Sequence, residues 1–151
     1  MSYVKRILQP GEDIKHVSRL HRIVFLPGFG LLILGLIGLI FLTTGQLNPA
    51  LSALIGIVFA LAAISLLHAW FKRWTTEIAV TNRRIIYKRG FIRRHTIEMN
   101  MDKVESVDVD QSIMGRLFGY GTITIHGTGI GIEPLEKIDS PIEFRNNVTA
   151  Q

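Results

Sequence analysis

Forty-nine consecutive residues, Ile23 to Phe71, contain no Asp, Glu, Lys or Arg. A charge at a bilayer centre costs roughly 2.5 to 3.5 kcal/mol, so an uncharged stretch of this length is what membrane insertion selects. Its two apolar runs, Ile23 to Leu42 and Leu51 to Phe71, are 20 and 21 residues long. Roughly 20 helical residues, at about 1.5 Å each, cross about 30 Å of hydrocarbon. Each run therefore predicts one membrane-spanning helix, and the pair predicts a transmembrane helical hairpin. A buried hairpin of a soluble protein would show a polar face along helices this long, and neither run has one. Between them, Thr43-Thr44-Gly45-Gln46-Leu47-Asn48-Pro49-Ala50 reads as a short uncharged turn. Asn48 is placed to cap the second helix and Pro49 to occupy its first turn.

Lys5, Arg6, Lys15, Arg19 and Arg22 precede the hairpin, and Lys72, Arg73, Arg83 and Arg84 follow it, while the turn has no basic residue. Basic flanks remain on the cytoplasmic side, so both termini are expected there. No small-residue cleavage site follows the first apolar run, and an uncleaved segment is the expectation. Small residues recur on both helices, with Gly28, Gly35 and Gly38 on the first and Ser52, Gly56 and Ala60 on the second. Such positions let helix backbones approach closely. Packing within the hairpin is the expectation, and contact between copies through the same strips is the alternative. His68, close to Trp70, Lys72 and Arg73, reads as an interfacial residue rather than a proton relay.

At 151 residues, the chain has room for one modest domain beside the hairpin. After Trp74 the pattern changes to alternation, with Ile78 and Val80 on one face of a strand and Glu77, Ala79 and Thr81 on the other. Further strands are predicted at Arg84 to Arg89, Phe91 to Ile97, Val104 to Asp110, Thr122 to His126 and Ile132 to Ile138, punctuated by Asn82, Gly90 and other turn residues. Short strands at this spacing predict an antiparallel sheet or barrel. Ser140-Pro141-Ile142-Glu143 fits a capping box with proline in the first turn, opening a short C-terminal helix with Phe144 and Val148 on one side. At the other end, Tyr3 to Leu8 and Ile14 to Leu20 flank Gln9-Pro10-Gly11-Glu12, a pattern that predicts a β segment over residues 1–22, built as a hairpin. The boundaries are then 1–22 for this segment, 23–71 for the membrane hairpin and 72–151 for the β domain.

Thr81-Asn82-Arg83-Arg84-Ile85-Ile86-Tyr87-Lys88-Arg89-Gly90-Phe91-Ile92, followed by Val104-Glu105-Ser106-Val107 and by Gly115-Arg116-Leu117-Phe118-Gly119-Tyr120-Gly121-Thr122-Ile123, resembles the YdbS-like bacterial pleckstrin-homology (PH) domain family. The likeness covers about Trp74 to the C-terminus, and the order and spacing of the pieces are more specific than any one of them. It implies an all-β, partly open barrel capped by the C-terminal helix, here preceded by the two membrane helices, and a place in the bacterial cytoplasmic (inner) membrane. The lipid-head-group signature of eukaryotic PH domains does not map onto these residues. The resemblance therefore bears on the fold more than on the function.

Motifs that would carry catalysis are wanting. Gly127-Thr128-Gly129-Ile130-Gly131 follows a strand but opens no helix and lacks a Lys-Ser/Thr pair, so it reads as a turn rather than a phosphate loop. Asp108, Asp110 and Ser112 start a calcium-loop spacing, but Ile113 stands at the glycine position and Gly119 at the glutamate position. The five histidines show no zinc spacing and cysteine is absent, so no metal or cofactor is expected. Charge is more informative. Residues 1 to 94 hold 13 basic and 3 acidic residues, a net +10, whereas 95 to 151 hold 4 and 9, a net −5.

Lys72, Arg73, Arg83, Arg84, Lys88, Arg89, Arg93 and Arg94 all fall within 23 residues of the membrane exit, and each basic group near anionic lipid contributes about 1 kcal/mol. They form one candidate surface for lipid or partner contact, with topology signalling as the equal competing explanation. The glycine-rich segment Ile113 to Thr122 is a second candidate, an interaction loop with Gly115, Arg116, Leu117, Phe118 and Tyr120 as its contact residues. Together these features predict a non-enzymatic, membrane-anchored interaction or scaffold module. Its expected partners are membrane lipids and a membrane protein or a second copy, not nucleic acid, which suits neither the anchor nor the acidic second half. The alternative is a module that binds or senses anionic lipid through the basic hairpin.

Overall fold

The computed structural model describes residues 4–45, 48–90, 95–129 and 131–150, without the side chains of Lys5, Arg6 and Thr44. Two compact units emerge, one formed by Arg22–Lys72 and the other by Met1–His21 together with Arg73–Gln151.

In the first unit, helix α2 spans Leu26–Thr44 after a 3-10 turn over Arg22–Phe25, and α3 begins at Pro49 and runs to Thr75. Asn48 Oδ1 accepts the Ala50 N–H at 2.9 Å, as its position before Pro49 predicts. Only 11% of the most apolar stretch of each helix is buried, whereas a core helix of a soluble protein would be mostly covered. Gly28, Gly35 and Gly38 of α2 do face α3, and a Cβ there would lie 2.6 Å from Leu66, 3.1 Å from Phe59 and 3.0 Å from Ile55.

On α3 the seam differs from the expected small-residue strip. Ile55, Ala62 and Ala69 are buried, and with Phe59 and Leu66 they recur at alternating intervals of four and three. That is the spacing at which helices crossing at a shallow angle keep one face in contact. Ser52, Gly56 and Ala60 are exposed on another face, and a Cβ on Gly56 would meet nothing within 4 Å. Large side chains from α3 thus fill the notches left by the glycines of α2.

The second unit is built on two antiparallel sheets. Strands β1 (Ile14–Ser18), β2 (Glu77–Thr81), β3 (Arg84–Arg89) and β4 (His95–Asn100) form one in that order, and β5 (Val104–Asp110), β6 (Tyr120–Gly127) and β7 (Ile132–Asp139) form the other. A bridge between Leu20 and Ile138 ties the continuation of β1 to β7, flanked by His21 N–H to Lys137 O at 2.7 Å and Asp139 N–H to Arg19 O at 3.0 Å. β4 and β5 lie at the outer edges of their sheets, so the barrel is not closed. Helix α5 (Pro141–Thr149) buries Pro141, Phe144 and Val148.

Two local expectations give way. The first arm of the N-terminal segment is a helical turn, α1 (Val4–Ile7), rather than a strand. Val4 and Ile7, three residues apart, share a helical face, and that face packs on Ala79 and Ile86. β2 is consequently buried on both faces instead of one. The capping box before α5 does not form either. Ser140 has φ +49 and makes no side-chain cap bond, while the Glu143 carboxylate lies 3.9 Å from His16 Nδ1. Of the strand predicted at Phe91 to Ile97, residues 91–94 lie outside the described residues.

Candidate functional site

Strand register sorts the basic residues into two places. Ser18 pairs with Ile78, Glu77 with Lys88, and Arg89 with His95. The end of the sheet through which the chain leaves β1 and re-enters β2 therefore also carries Lys88 and Arg89. Ile14 pairs with Thr81 and Arg84 with Asn100 at the other end. At roughly 3.3 Å per residue, Arg84 and Arg89 stand about 17 Å apart along β3. Nearness in sequence suggested one surface, and the extended strand divides it. Arg93 and Arg94 lie outside the described residues.

Arg84 is committed to an internal network. Its Nε and Nη2 donate to Glu12 Oε1 and Oε2 at 2.9 and 2.8 Å, Nη1 donates to Glu98 Oε2 at 2.8 Å, and Nη2 also reaches Ile7 O at 3.0 Å. The Glu12 side chain is fully buried. Its Oε2 also accepts the Gln9 N–H at 2.9 Å, and Thr81 Oγ1 stands 2.8 Å from Oε1. Burial pushes the Glu12 carboxyl upward, but hydrogen bonds from Arg84, Gln9 and Thr81, with the charge of Arg84, outweigh it and hold the pKa at about 2.

Neighbouring residues complete the clamp. Thr81 Oγ1 accepts the N–H groups of Arg83 and Arg84 at 3.2 and 3.0 Å. Asn82 Oδ1 accepts the Asp13 N–H at 3.0 Å and its Nδ2 donates to Gly11 O at 3.2 Å. The motif Thr81-Asn82-Arg83-Arg84, which carries much of the family likeness, thus fastens residues 7–13 onto the sheet. Beside it, Gln9, Asn82, Arg83, Arg84, Asn100, Met101 and Asp102 line a polar depression of about 480 Å³. Exposed Arg83 stands there, away from Lys88 and Arg89.

At the other end, Arg73 Nε donates to Leu20 O at 2.9 Å, so this residue secures the chain where it enters the β unit. Lys72 is exposed in the helical unit. The His21 ring stacks on Tyr120, with centroids 5.4 Å apart. The stretch read as an interaction loop contains a short helix, α4 (Ile113–Phe118), with Gly119 at φ +74 closing it. Gly115 is its buried residue, and a Cβ there would lie 2.6 Å from Tyr120 O. Arg116, Leu117 and Phe118 are exposed. Ile113 and Met114, in the same candidate segment but not among its named contact residues, are exposed as well, at 87% and 56%. Their apolar character beside a glycine was the available signal. Among the described residues, no group of three or more side chains is placed to hold a metal ion.

Two packed antiparallel sheets of four and three strands, open between β4 and β5 and plugged by a C-terminal helix, joined to two long apolar helices, define a membrane-associated PH-like protein. The sequence pattern of the bacterial PH domain family matches residues 22–150, and the chain belongs to that family. The match begins well before Trp74 and takes in both apolar helices. The UPF0699 transmembrane protein YdbT of Bacillus subtilis (strain 168) is 28% identical over 93 residues, covering 56% of this chain and 19% of that protein. The chain thus spans about a fifth of that relative's length. No solved structure matches significantly.

Proposed function

We propose that this chain is a non-enzymatic, membrane-anchored module that binds a protein partner or a second copy of itself at the cytoplasmic face of the bacterial inner membrane. The observation that carries this reading is edge strand β5, which among the described strands pairs with β6 alone and exposes Glu105, Ser106, Asp108 and Asp110. An edge strand offers unpaired backbone groups to an added strand. With a net −5 over residues 95 to 151, the complementary partner segment is extended and basic. In this reading the two apolar helices are the anchor, crossing twice and returning the chain to the cytoplasm. A photo-cross-linker at Ser106 of the full chain in native membranes should yield a specific adduct, reduced by Glu105→Lys with Asp110→Lys. Recovery of neither a partner nor a homo-oligomer, by this route or by pull-down, sinks the reading.

Anionic-lipid binding is a second reading, favoured by Lys88 and Arg89 at the end where the chain joins the helices. Each would contribute about 1 kcal/mol near an anionic surface, less as salt rises. Charge reversal at both should weaken association with anionic vesicles, and equal association with neutral vesicles counts against it.

A further inference from the structure

We propose that α4 is an interfacial membrane element whose exposed apolar side chains enter the boundary between lipid headgroups and acyl chains. Four of its six residues, Ile113, Met114, Leu117 and Phe118, are large, apolar and exposed, at 87, 56, 74 and 51%. The remaining two are Gly115, turned inward, and exposed Arg116. An apolar cluster this dense needs an occupant, and the position of α4 within the β unit identifies it.

Gly115 seats α4 against the carbonyl of Tyr120, Tyr120 stacks on His21, and Leu20 accepts the hydrogen bond from Arg73. His21 is the last residue of the β unit before the helical unit, and Arg73, in the last turn of α3, is the first after it. α4 is therefore built beside both chain crossings, where the uncharged run ends and Arg22, Lys72 and Arg73 begin. Charged residues bordering an uncharged span mark the headgroup level.

Part of the helix backbone is satisfied locally. Ser112 Oγ accepts the Gly115 N–H at 3.0 Å, Arg116 N–H donates to Ser112 O at 2.9 Å, and Gly119 N–H donates to Gly115 O. Local satisfaction of these groups suits a medium poor in water. Arg116 has the length to keep its guanidinium at the headgroups while its stem lies along acyl chains.

This inference rests on the apolar helices being in the bilayer and is independent of the β5 edge. The chain has no cysteine, so single probes can be introduced cleanly. Full-length Leu117→Cys, carrying an environment-sensitive fluorophore, would be placed in nanodiscs holding one copy each. Ile64→Cys on α3 serves as the reference for anchorage and Thr149→Cys on α5 as the reference for water. A blue-shifted emission at Leu117, quenched by shallow lipid-borne nitroxides and shielded from iodide, is expected. Iodide access at Leu117 equal to that at Thr149, with Ile64 still in the bilayer, overturns the inference and leaves the anchor standing. A water-like signal at Ile64 overturns both. Shielding at Leu117 that appears only with two or more copies per disc assigns α4 to a second copy and overturns the lipid assignment. A charged surface, tested with Ile113→Glu and Leu117→Glu, should abolish the membrane-dependent shift of a probe at Met114→Cys. Retention of that shift counts against insertion.

Discussion

Glu12 is the residue on which the N-terminal segment turns. A buried carboxylate is tolerable only with its partners in place, and removing one member of such a pair typically costs about 3 to 5 kcal/mol. Arg84→Ala should therefore destabilise the β unit by about that amount, read as a lower unfolding midpoint in detergent. Arg84→Lys should recover part of the loss, since an ammonium cannot reproduce the two-pronged bond to Glu12. The pH dependence follows from the direction of the shift. Folding depresses the Glu12 pKa from 4.5 to about 2, so the stabilisation is fully present above the unfolded value and is lost as pH falls through the folded one. The whole effect is about 3 kcal/mol by linkage. Titrating from pH 6 towards pH 2 should narrow the stability gap between the native chain and Glu12→Gln, and an unchanging gap would refute the assignment. The sequence made Arg84 look like one member of a surface cluster. Its acid partners lie 72 and 14 residues away, and no local pattern announces such a pairing.

At the scale of elements, the same contrast runs through the helices and the sheets. Charge-free length made α2 and α3 legible, and turn residues bounding short β-prone runs made β3, β5 and β7 legible almost to the residue, because both signals are local to one stretch of chain. What escaped was decided between elements. Gly28, Gly35 and Gly38 were readable as notches, but the sequence could not say that Phe59 and its neighbours, rather than Gly56, would fill them. Gly35→Leu should therefore disturb the hairpin by about 1 to 3 kcal/mol, the usual cost of overpacking, whereas Gly56→Leu should leave it intact. Unfolding in detergent separates the two, and equal losses would show that the seam is wrongly assigned. α1 escaped because four residues are too few for a reliable period. α4 was hidden inside a glycine-bearing segment read as a loop, although Ser112 and Gly119 are in hindsight its cap residues.

For the whole molecule, the most consequential fact is that β1 and β2 are neighbours in one sheet although the entire apolar hairpin separates them in sequence. His16 pairs with Val80, Val17 with Ala79 and Ser18 with Ile78. Strands on opposite sides of a bilayer cannot exchange these bonds, so β1 and β2 must lie on the same side. If α2 crosses the membrane, α3 must cross back, and one crossing alone would tear the sheet apart. This parity holds whatever the charge, and in the function proposed above the basic residues flanking the hairpin select the cytoplasm as the side that holds the sheet. In oriented membranes, a cysteine at Gly45 should react with an impermeant thiol reagent from the outside only, and one at Thr149 from the cytoplasmic side only. Labelling of both from the same side would break the anchor reading while leaving the fold untouched. A chain with Lys72 and Arg73 replaced by glutamine should keep the parity, because strand pairing enforces it, and lose only part of its directional bias. Gly45 and Thr149 would then change sides together in the inverted fraction, and never singly.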